Sequence, residues 1–153
     1  MLVLQGDRSF ARPRDVVWTR LTDLGFLVKC LPDVARLEEV GPKTAKAVVR
    51  PGFSFVRGEL QLTLERQADP APFTACYLAR TKGVGTSTEV LATLALAEDP
   101  AQAGTTRMAW QVEIRELGGL LKAVPRGLIQ AGAQKVVADL LSGIERELAH
   151  SGT

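Results

Sequence analysis

The last long segment of the chain, Gly118 to Ala149, constrains the fold more than any other stretch, because its apolar residues recur at helical spacing. Steps of three, four and seven gather side chains on one face of a helix. The glycines inside the segment each weaken a helix by roughly 1 kcal/mol relative to alanine, so packing rather than intrinsic propensity must hold it. The pattern predicts one long helix that lies on a sheet built by the preceding chain. Its apolar positions are Leu121, Leu128, Ile129, Ala133, Val136, Val137, Leu140, Ile144 and Leu148.

Pro125 limits where this helix begins. Proline lacks a backbone donor and clashes with the preceding helical turn. It belongs either to the first turn of a helix that starts near Gly118, or to a break after a separate turn at Gly118 to Val124. In both cases we expect a kink and a movable end near Pro125.

Length and composition indicate one compact domain. The chain has 153 residues, of which 46% are hydrophobic, enough for a core of ordinary size. Its 19 basic and 17 acidic residues are spread along the chain, so no basic run points to nucleic acid. The opening lacks the features of a signal peptide, and the longest apolar run, Val90 to Ala97, is too short to span a bilayer. We therefore expect a soluble, cytoplasmic protein.

Few residues are typical of catalysis or metal binding. Cys30 and Cys76 have no histidine or cysteine partner at metal-ligand spacing, and we interpret both as buried small apolar residues. The only histidine, His150, lies in the tail. Tyr77 and Arg80 suit proton transfer, but Tyr77 alternates with alanines on an apolar face, which favours a structural role. We expect no catalytic residue, no metal and no cofactor.

The first part of the chain predicts a strand followed by two short helices. The strand is Leu2 to Phe10, and Pro13 suits the first position of a helix that ends near Asp23. Asp23 is a candidate cap for a second helix, Leu24 to Cys30, which must end before Pro32.

The middle of the chain changes to the alternating pattern of strands. Turn compositions separate the apolar runs, which predicts a meander of sequential antiparallel strands and, with the first strand, seven in all. In the longest run, Phe53 and Phe55 have the opposite phase to the later leucines, so we expect a bulge at Gly58 that bends the strand. The predicted strands are Ala35 to Val40, Thr44 to Arg50, Phe53 to Arg66, Phe73 to Lys82, Thr86 to Ala97 and Thr105 to Glu116.

This order of elements, with several local motifs, resembles the START-related helix-grip superfamily, and within it the CoxG family of carbon monoxide dehydrogenase subunits. The resemblance implies an α+β fold in which a curved seven-stranded antiparallel sheet wraps around the long C-terminal helix, with two short helices after strand one. The sequence departs from the family pattern at Asp33, where glycine is common. The motifs are Arg12 to Trp18, Cys30-Leu31-Pro32, Gly58, Gly83 and Gly85, Thr105-Thr106, and Gly118-Gly119-Leu120-Leu121.

The resemblance also implies an apolar cavity between the sheet and the terminal helix. The small residues Ala131, Gly132 and Ala133 leave room at the middle of that helix. The candidate lining residues surround a ligand in this interpretation and fill a core in the alternative one. They are Leu62, Leu64, Tyr77, Leu94, Met108, Trp110, Leu128, Gly132, Ala133 and Val136.

The charge order of the terminal helix is unusual. Lys122 and Arg126 lie near its start, where the helix dipole disfavours positive charge. They form either a contact for an anionic membrane surface or acidic partner, or ordinary solvated surface.

Taken together, these features predict a non-catalytic binding or carrier protein for an apolar isoprenoid, quinone or lipid-like molecule. The resemblance implies a partner, a molybdenum hydroxylase of the carbon monoxide dehydrogenase type, and a peripheral place at the inner face of the membrane. Two alternatives stay open: an enzyme of the polyketide cyclase or hydratase type, and an interaction module with a filled core.

Overall fold

The computed structural model describes residues 2–53 and 56–150. The chain begins with a strand and two short helices, continues with six strands, and ends with one long helix. A short 3₁₀ turn, Leu120–Ala123, precedes that last helix. The elements are β1 (Leu2–Phe10), α1 (Arg14–Leu21), α2 (Leu24–Cys30), β2 (Val34–Val40), β3 (Thr44–Val49), β4 (Leu60–Arg66), β5 (Thr74–Gly83), β6 (Thr86–Glu98), β7 (Thr106–Gly119) and α3 (Arg126–His150).

The strands form one antiparallel sheet of seven, in the order β1-β7-β6-β5-β4-β3-β2. Sequential strands from β2 to β7 are neighbours, and β1 pairs with β7 from Leu2 opposite Ile114 to Phe10 opposite Thr106. The long helix α3 packs on the concave face of this curved sheet. The predicted α+β helix-grip architecture is confirmed.

The start of α3 differs from the prediction of a single helix from Gly118. Strand β7 continues through Gly118 and Gly119, which pair with Ser87 and Thr86 of β6. A Cβ atom on Gly119 would lie 2.0 Å from the carbonyl oxygen of Gly85, so the two chain segments can approach only because glycine is present. Pro125 lies between the 3₁₀ turn and the first residue of α3. The alternative interpretation, a break after a separate turn, is therefore correct, and the proline separates two elements instead of kinking one.

The predicted strand from Phe53 to Arg66 is also shorter than expected. Strand β4 begins only at Leu60. Phe53 and Val56–Glu59 are not in a strand, and Phe55 lies outside the described residues. Gly58 has a φ of 104°, and a Cβ atom there would lie 2.9 Å from a methyl carbon of Val84. Gly58 therefore lets the segment before β4 pass close to the β5–β6 hairpin. The prediction of a bulge inside a strand at Gly58 is wrong.

The two short helices follow the sequence closely. A carboxylate oxygen of Asp23 accepts hydrogen bonds from the backbone N–H groups of Gly25 at 3.0 Å and Phe26 at 3.4 Å, which confirms the predicted cap of α2. After α2, Asp33 adopts a φ of 62°, the left-handed region that glycine prefers. Its carbonyl accepts a hydrogen bond from Arg50 N–H at 2.8 Å. The turn therefore keeps the shape that a glycine would give it.

Two separate groups of buried apolar residues lie between the sheet and the helices. The large core joins α1, α2 and the second half of α3 to the sheet, and includes Leu21, Met108 and Leu148. The small core lies at the other end of α3. It consists of Leu2, Val56, Leu60, Ile114, Leu121 and Ile129.

The second half of α3 is held much more firmly than the first. The Arg12 guanidinium donates to the carbonyl oxygens of Leu148 at 3.1 Å and Ala149 at 3.2 Å, which caps the last turn. Arg8 on β1 forms an ion pair with Glu145. In the first half, Ile129 is buried in the small core and Ala133 packs against it, while the Lys135–Asp139 ion pair lies on the surface of α3 itself.

The β5–β6 hairpin turns through Val84 and Gly85, with Gly83 opposite Thr86. Val84 has a φ of 45° and Gly85 a φ of 77°, the positive values that a type I′ turn requires at both central residues. A β-branched residue is rare in this region, because its Cβ substituents clash with the backbone.

We expect Gly143→Ala to lower the free energy of unfolding by about 2 kcal/mol, since overpacking costs 1 to 3 kcal/mol. Its new Cβ would lie 2.5 Å from the carbonyl oxygen of Cys30, where α3 crosses α2. Gly127→Ala is the matched control in the same helix, because nothing lies within 4 Å of its Cβ position. This control should raise stability by up to about 1 kcal/mol. Urea denaturation measures both, and equal effects would contradict a close α2–α3 contact.

A second prediction concerns the hairpin. Val84→Asn should raise the free energy of unfolding by about 1 kcal/mol, because asparagine tolerates the left-handed conformation and Asn-Gly is the preferred type I′ pair. Thermal denaturation against the parent protein tests this. A loss of stability in the Val84→Asn variant would mean that the packing of Val84 against Gly58 outweighs its backbone strain.

Candidate ligand-binding site

The residues at the centre of the sheet's inner face are only half-buried, and most of them pack against the edge of one of the two cores. Residues there keep part of their surface accessible although they point toward α3 and have buried neighbours at both ends of the sheet. The facing positions of α3 are also only half-buried. We take the region between these two half-buried faces as the candidate ligand site and call it the central cavity. Its borders are Ala79, Val90, Ala92, Leu94, Trp110 and Val112 on the sheet, and Ala133, Val136, Val137 and Leu140 on α3.

The strand register explains how the sheet forms this border. Leu94 lies opposite Trp110, Ala92 opposite Val112, and Ala79 opposite Val90. Alternation along each strand directs these side chains to the same face. Because two of the sheet residues and Ala133 on the helix carry only a methyl group, the middle of the interface lacks the side-chain volume that fills both ends.

Trp110 forms one wall of the central cavity. Its cross-strand neighbour is Gly6, and a Cβ atom on Gly6 would lie 2.8 Å from the indole ring. Because Gly6 has no side chain, the indole ring can pack directly against β1. The indole Nε1 is buried and has no hydrogen-bond partner among the described residues. An unpaired buried donor costs about 1 to 3 kcal/mol, so a ligand oxygen that reached this group would be favoured.

A pair of hydroxyl groups lies toward the small core. The Thr81 and Thr88 oxygen atoms are 2.5 Å apart, and both residues occupy inner-face positions one step beyond Ala79 and Val90. In such a pair one hydroxyl donates to the other, and the second keeps its hydrogen for another acceptor. This pair gives the apolar border one polar end.

The lining residues predicted from the sequence fall into three groups. Leu94, Trp110, Ala133 and Val136 border the central cavity, and Gly132 is buried beside them on α3. Leu128 is 51% exposed at the start of α3. The other four are buried, three of them within the large core: Leu62, Leu64, Tyr77 and Met108.

Several bordering residues were not predicted. Ala79 and Ala92 continue the inner-face alternation of Tyr77 and Leu94, and Val137 and Leu140 follow Ala133 at helical spacing. Alternation alone would have found them. Their small or ordinary aliphatic side chains gave no reason to distinguish them from residues of a filled core.

Tyr77 supports α1 instead of facing the cavity. Its hydroxyl donates a hydrogen bond to the carbonyl oxygen of Leu21, the last residue of α1. Burial raises the pKa of Tyr77 to about 12, so the phenol stays neutral in the folded protein. Arg80, on the opposite face of the sheet, bonds Glu89 at 3.1 Å. Tyr77 and Arg80, the two residues considered for proton transfer, therefore lie on opposite faces of the sheet.

The cysteines differ in burial. Cys30 is buried against α3, and this burial raises the pKa of its thiol to about 11, which disfavours the reactive thiolate. Cys76 is half-buried, so the prediction of a buried residue holds only for Cys30. Within residues 2–53 and 56–150 no group of three or more histidine, cysteine or acidic side chains is arranged for a metal ion. No helix in the same ranges is long and apolar enough to cross a membrane.

Two open grooves lie outside the central cavity. One, of about 440 Å³, is on the outer face of the sheet, where Lys46, Gln61, Arg80 and Glu89 contribute polar side chains. The other, of about 460 Å³, lies between α2 and β2. The first is lined by charged groups, among them the Arg80–Glu89 ion pair, and neither is enclosed by the sheet and helix. We therefore assign the candidate site to the central cavity.

The strand order and the long terminal helix define the chain as a START-like helix-grip protein. The model of the CoxG family of carbon monoxide dehydrogenase subunits matches residues 6–149, and the chain belongs to this family. A comparison with curated protein sequences finds no match.

Solved structures share the fold. A conserved protein from Geobacillus kaustophilus superposes with a TM-score of 0.85 at 23% identity, covering 98% of this chain and 97% of that one. A START superfamily protein from Mycobacterium smegmatis gives 0.69 at 12% identity, with 97% of each chain covered. The di-domain ARO/CYC protein BexL from the BE-7585A biosynthetic pathway gives 0.65 at 16% identity, covering 95% of this chain and 46% of that one. At these identities the likeness establishes the architecture alone.

We expect Tyr77→Phe to lower the free energy of unfolding at neutral pH by about 1 to 2 kcal/mol, because the carbonyl of Leu21 loses its partner. The pKa of Tyr77 is raised from 10.0 to about 12, so the folded state resists ionisation that the unfolded state permits. The parent protein should therefore lose roughly 1.4 kcal/mol between pH 7 and pH 11, and the variant should not. Urea denaturation at pH 7 and pH 11 measures this difference, and parallel pH profiles would contradict it.

Proposed function

We propose that this protein is a non-catalytic carrier that binds an apolar molecule in the central cavity. The observation that carries the proposal is the half-accessible centre of the sheet between two well-buried cores. A chain that needed only stability would gain by filling this region, since burial of one aliphatic side chain contributes about 1.5 to 3 kcal/mol. Alanines and a buried glycine stand there instead, at Ala79, Ala92, Gly132 and Ala133.

The border chemistry favours a long apolar molecule with one oxygen-bearing end. Most of the bordering side chains are aliphatic, and the polar groups are the Thr81–Thr88 hydroxyl pair and the indole N–H of Trp110. Pockets of this composition bind by apolar contact and use a few polar groups to fix orientation. Isoprenoids, quinones with prenyl tails and lipid-like acids have this form.

The same border argues for binding over catalysis. Hydroxyl and indole groups in an apolar setting are weak acids and bases, and general acid–base catalysis needs a group that titrates near the working pH. The cyclase-type alternative requires an ionisable side chain that reaches the ligand. None of the residues named above as bordering the cavity is a histidine, cysteine, lysine or carboxylate.

Family membership suggests where such a carrier acts. The family carries the description of a carbon monoxide dehydrogenase subunit, which supports an accessory role beside a molybdenum hydroxylase of that type. An apolar cargo dissolves in the membrane, so a carrier must meet the membrane surface to load or unload it. We therefore place this protein in the cytoplasm, at the inner face of the membrane.

The two halves of α3 differ in the contacts that hold them to the rest of the fold, and this difference provides a route for the ligand. Arg12 and the Arg8–Glu145 ion pair tie its second half to β1 and the residues just after it, whereas its first half contacts the small core through Ile129 and Ala133. Pro125 interrupts the chain just before that half. Movement of the first half would open the central cavity without disturbing the large core.

We expect a long-tailed quinone or a long-chain fatty acid to raise the free energy of unfolding by about 2.7 kcal/mol at a free concentration of 100 times its Kd. Ala133→Leu should fill the cavity and weaken binding by about tenfold, or about 1.4 kcal/mol. Ala131→Leu is the matched control, because Ala131 is the exposed alanine two residues away. Thermal unfolding with each ligand, and native mass spectrometry of gently purified protein, measure these effects.

Intrinsic fluorescence locates the ligand. The chain has two tryptophans, so Trp18→Phe leaves Trp110 as the only indole. A bound quinone should quench its emission, with the same Kd as in thermal unfolding. Absence of binding by both ligand types, or equal binding by the Ala133 and Ala131 variants, would rule out the cavity as a carrier site and favour an interaction module.

A further inference from the structure

Two exposed apolar side chains lie near each other at the end of the molecule where α3 begins. Val84 at the turn of the β5–β6 hairpin is 46% exposed, and Leu120 in the 3₁₀ turn is 66% exposed, more than any other large hydrophobic residue of the described chain. The Leu120 N–H donates to the carbonyl oxygen of Gly85 at 2.9 Å. A Cβ atom on Gly85 would lie 3.3 Å from a methyl carbon of Leu120. We call Val84 and Leu120 the apolar tip.

The backbone at the apolar tip is unfavourable for the valine that stands there. Val84 has a positive φ, where valine is among the least suitable residues and asparagine or glycine among the best. Nearly half of the valine surface nevertheless faces solvent. A strained apolar residue at an exposed turn is expected where that side chain contacts something outside the protein.

Basic residues surround the apolar tip. Lys82 lies two residues before Val84, Lys122 lies two residues after Leu120, and Arg57 precedes Gly58, which the valine side chain touches. All three are exposed, and none forms an ion pair with another described residue. On the sheet nearby, by contrast, Arg50 pairs with Glu59 and Arg80 with Glu89. The tip therefore combines apolar surface with three exposed basic residues, and Glu116 lies in the same groove as Lys82.

This arrangement fits the surface of an anionic bilayer. Apolar side chains at the end of a narrow turn can enter the layer of acyl chains, while lysine and arginine stay among the phosphate groups. Both kinds of contact add to the affinity. The tip also lies beside the first half of α3, the proposed opening of the cavity.

We propose that the apolar tip and its three basic neighbours dock this protein on an anionic membrane, with Val84 and Leu120 inserted. This inference rests on the proposed carrier function, because docking here places the opening of the central cavity against the source of its cargo. It commits to lipid as the occupant. A protein partner at the same surface is an outcome of the test below.

The experiment measures flotation of the full chain with vesicles of phosphatidylcholine alone or mixed with phosphatidylglycerol. The parent protein should float with the mixed vesicles, and salt should weaken binding, because exposed charges are screened over about 10 Å at 0.1 M. Lys82→Glu with Lys122→Glu should reduce partitioning by at least about twenty-five-fold, since each basic residue near an anionic surface contributes about fivefold and the new carboxylates are repelled. The control is Lys43→Glu with Arg107→Glu, which makes the same change of charge at the opposite end of the sheet and should retain binding.

A second pair of variants tests insertion. Leu120→Ser should reduce partitioning by about tenfold, whereas Leu37→Ser, at an exposed leucine on β2, should not. Val84→Asn should weaken vesicle binding while the protein becomes more stable, so loss of binding by this variant cannot come from unfolding.

Three results would overturn the proposal: no flotation of the parent protein with mixed vesicles, equal losses in the Leu120 and Leu37 variants, or equal losses in the two charge variants. Binding of a purified hydroxylase that depends on the tip residues, without vesicle binding, would assign the surface to a protein. Ligand affinity in detergent-free solution, measured on the same variants, separates the two proposals. Unchanged affinity with no vesicle binding refutes docking alone, and absent affinity refutes the carrier function.

Discussion

The position of α3 across the sheet depends on a small number of contacts near its C-terminal end. The Arg12 guanidinium bonds the last carbonyl groups of the helix, and Gly143 lets α3 approach the backbone of α2 at Cys30. Because these contacts come from the residues that follow β1 and from α2, they fix the helix relative to both the sheet edge and the small helices. The large core can then form under the second half of α3, and the first half extends over the sheet with fewer constraints.

The division of the apolar interior into two cores has an energetic consequence. Protein interiors are normally packed as densely as organic crystals, and voids reduce stability in proportion to the contacts that are lost. In this molecule the large core compensates with fully buried residues such as Val17, Leu21 and Met108, while the centre of the sheet contributes less. A ligand in the central cavity would restore the missing contacts. Binding and stability are thus expected to be coupled, as the proposed carrier function requires.

Much of the fold followed from local patterns in the sequence, because alternation, Asp23 as a cap and Pro32 as a stop each act within a few residues. The errors arose where a long-range contact determined the structure. In the sequence, Gly118 and Gly119 look like residues that precede a helix. In the structure they belong to β7 and allow it to pass close to Gly85, which only the strand pairing shows. The site was harder to predict for a related reason. An apolar residue that fills a core and one that borders a cavity have the same sequence pattern. They differ only in whether other side chains fill the space beside them.

The small core connects the proposed docking surface to the central cavity. Leu121 is buried in that core and follows Leu120 of the apolar tip directly, while Ile129 and Ala133 contribute the contacts of α3. Leu60 of β4 joins the same cluster and also lies 3.2 Å from the Cβ position of Gly83 in the hairpin. A shift of the 3₁₀ turn on contact with a membrane would therefore act on Ile129, in the weakly held half of α3. Since the large core and the Arg12 contacts lie at the opposite end of the helix, such a shift would change access to the cavity and leave the anchored half of the fold in place.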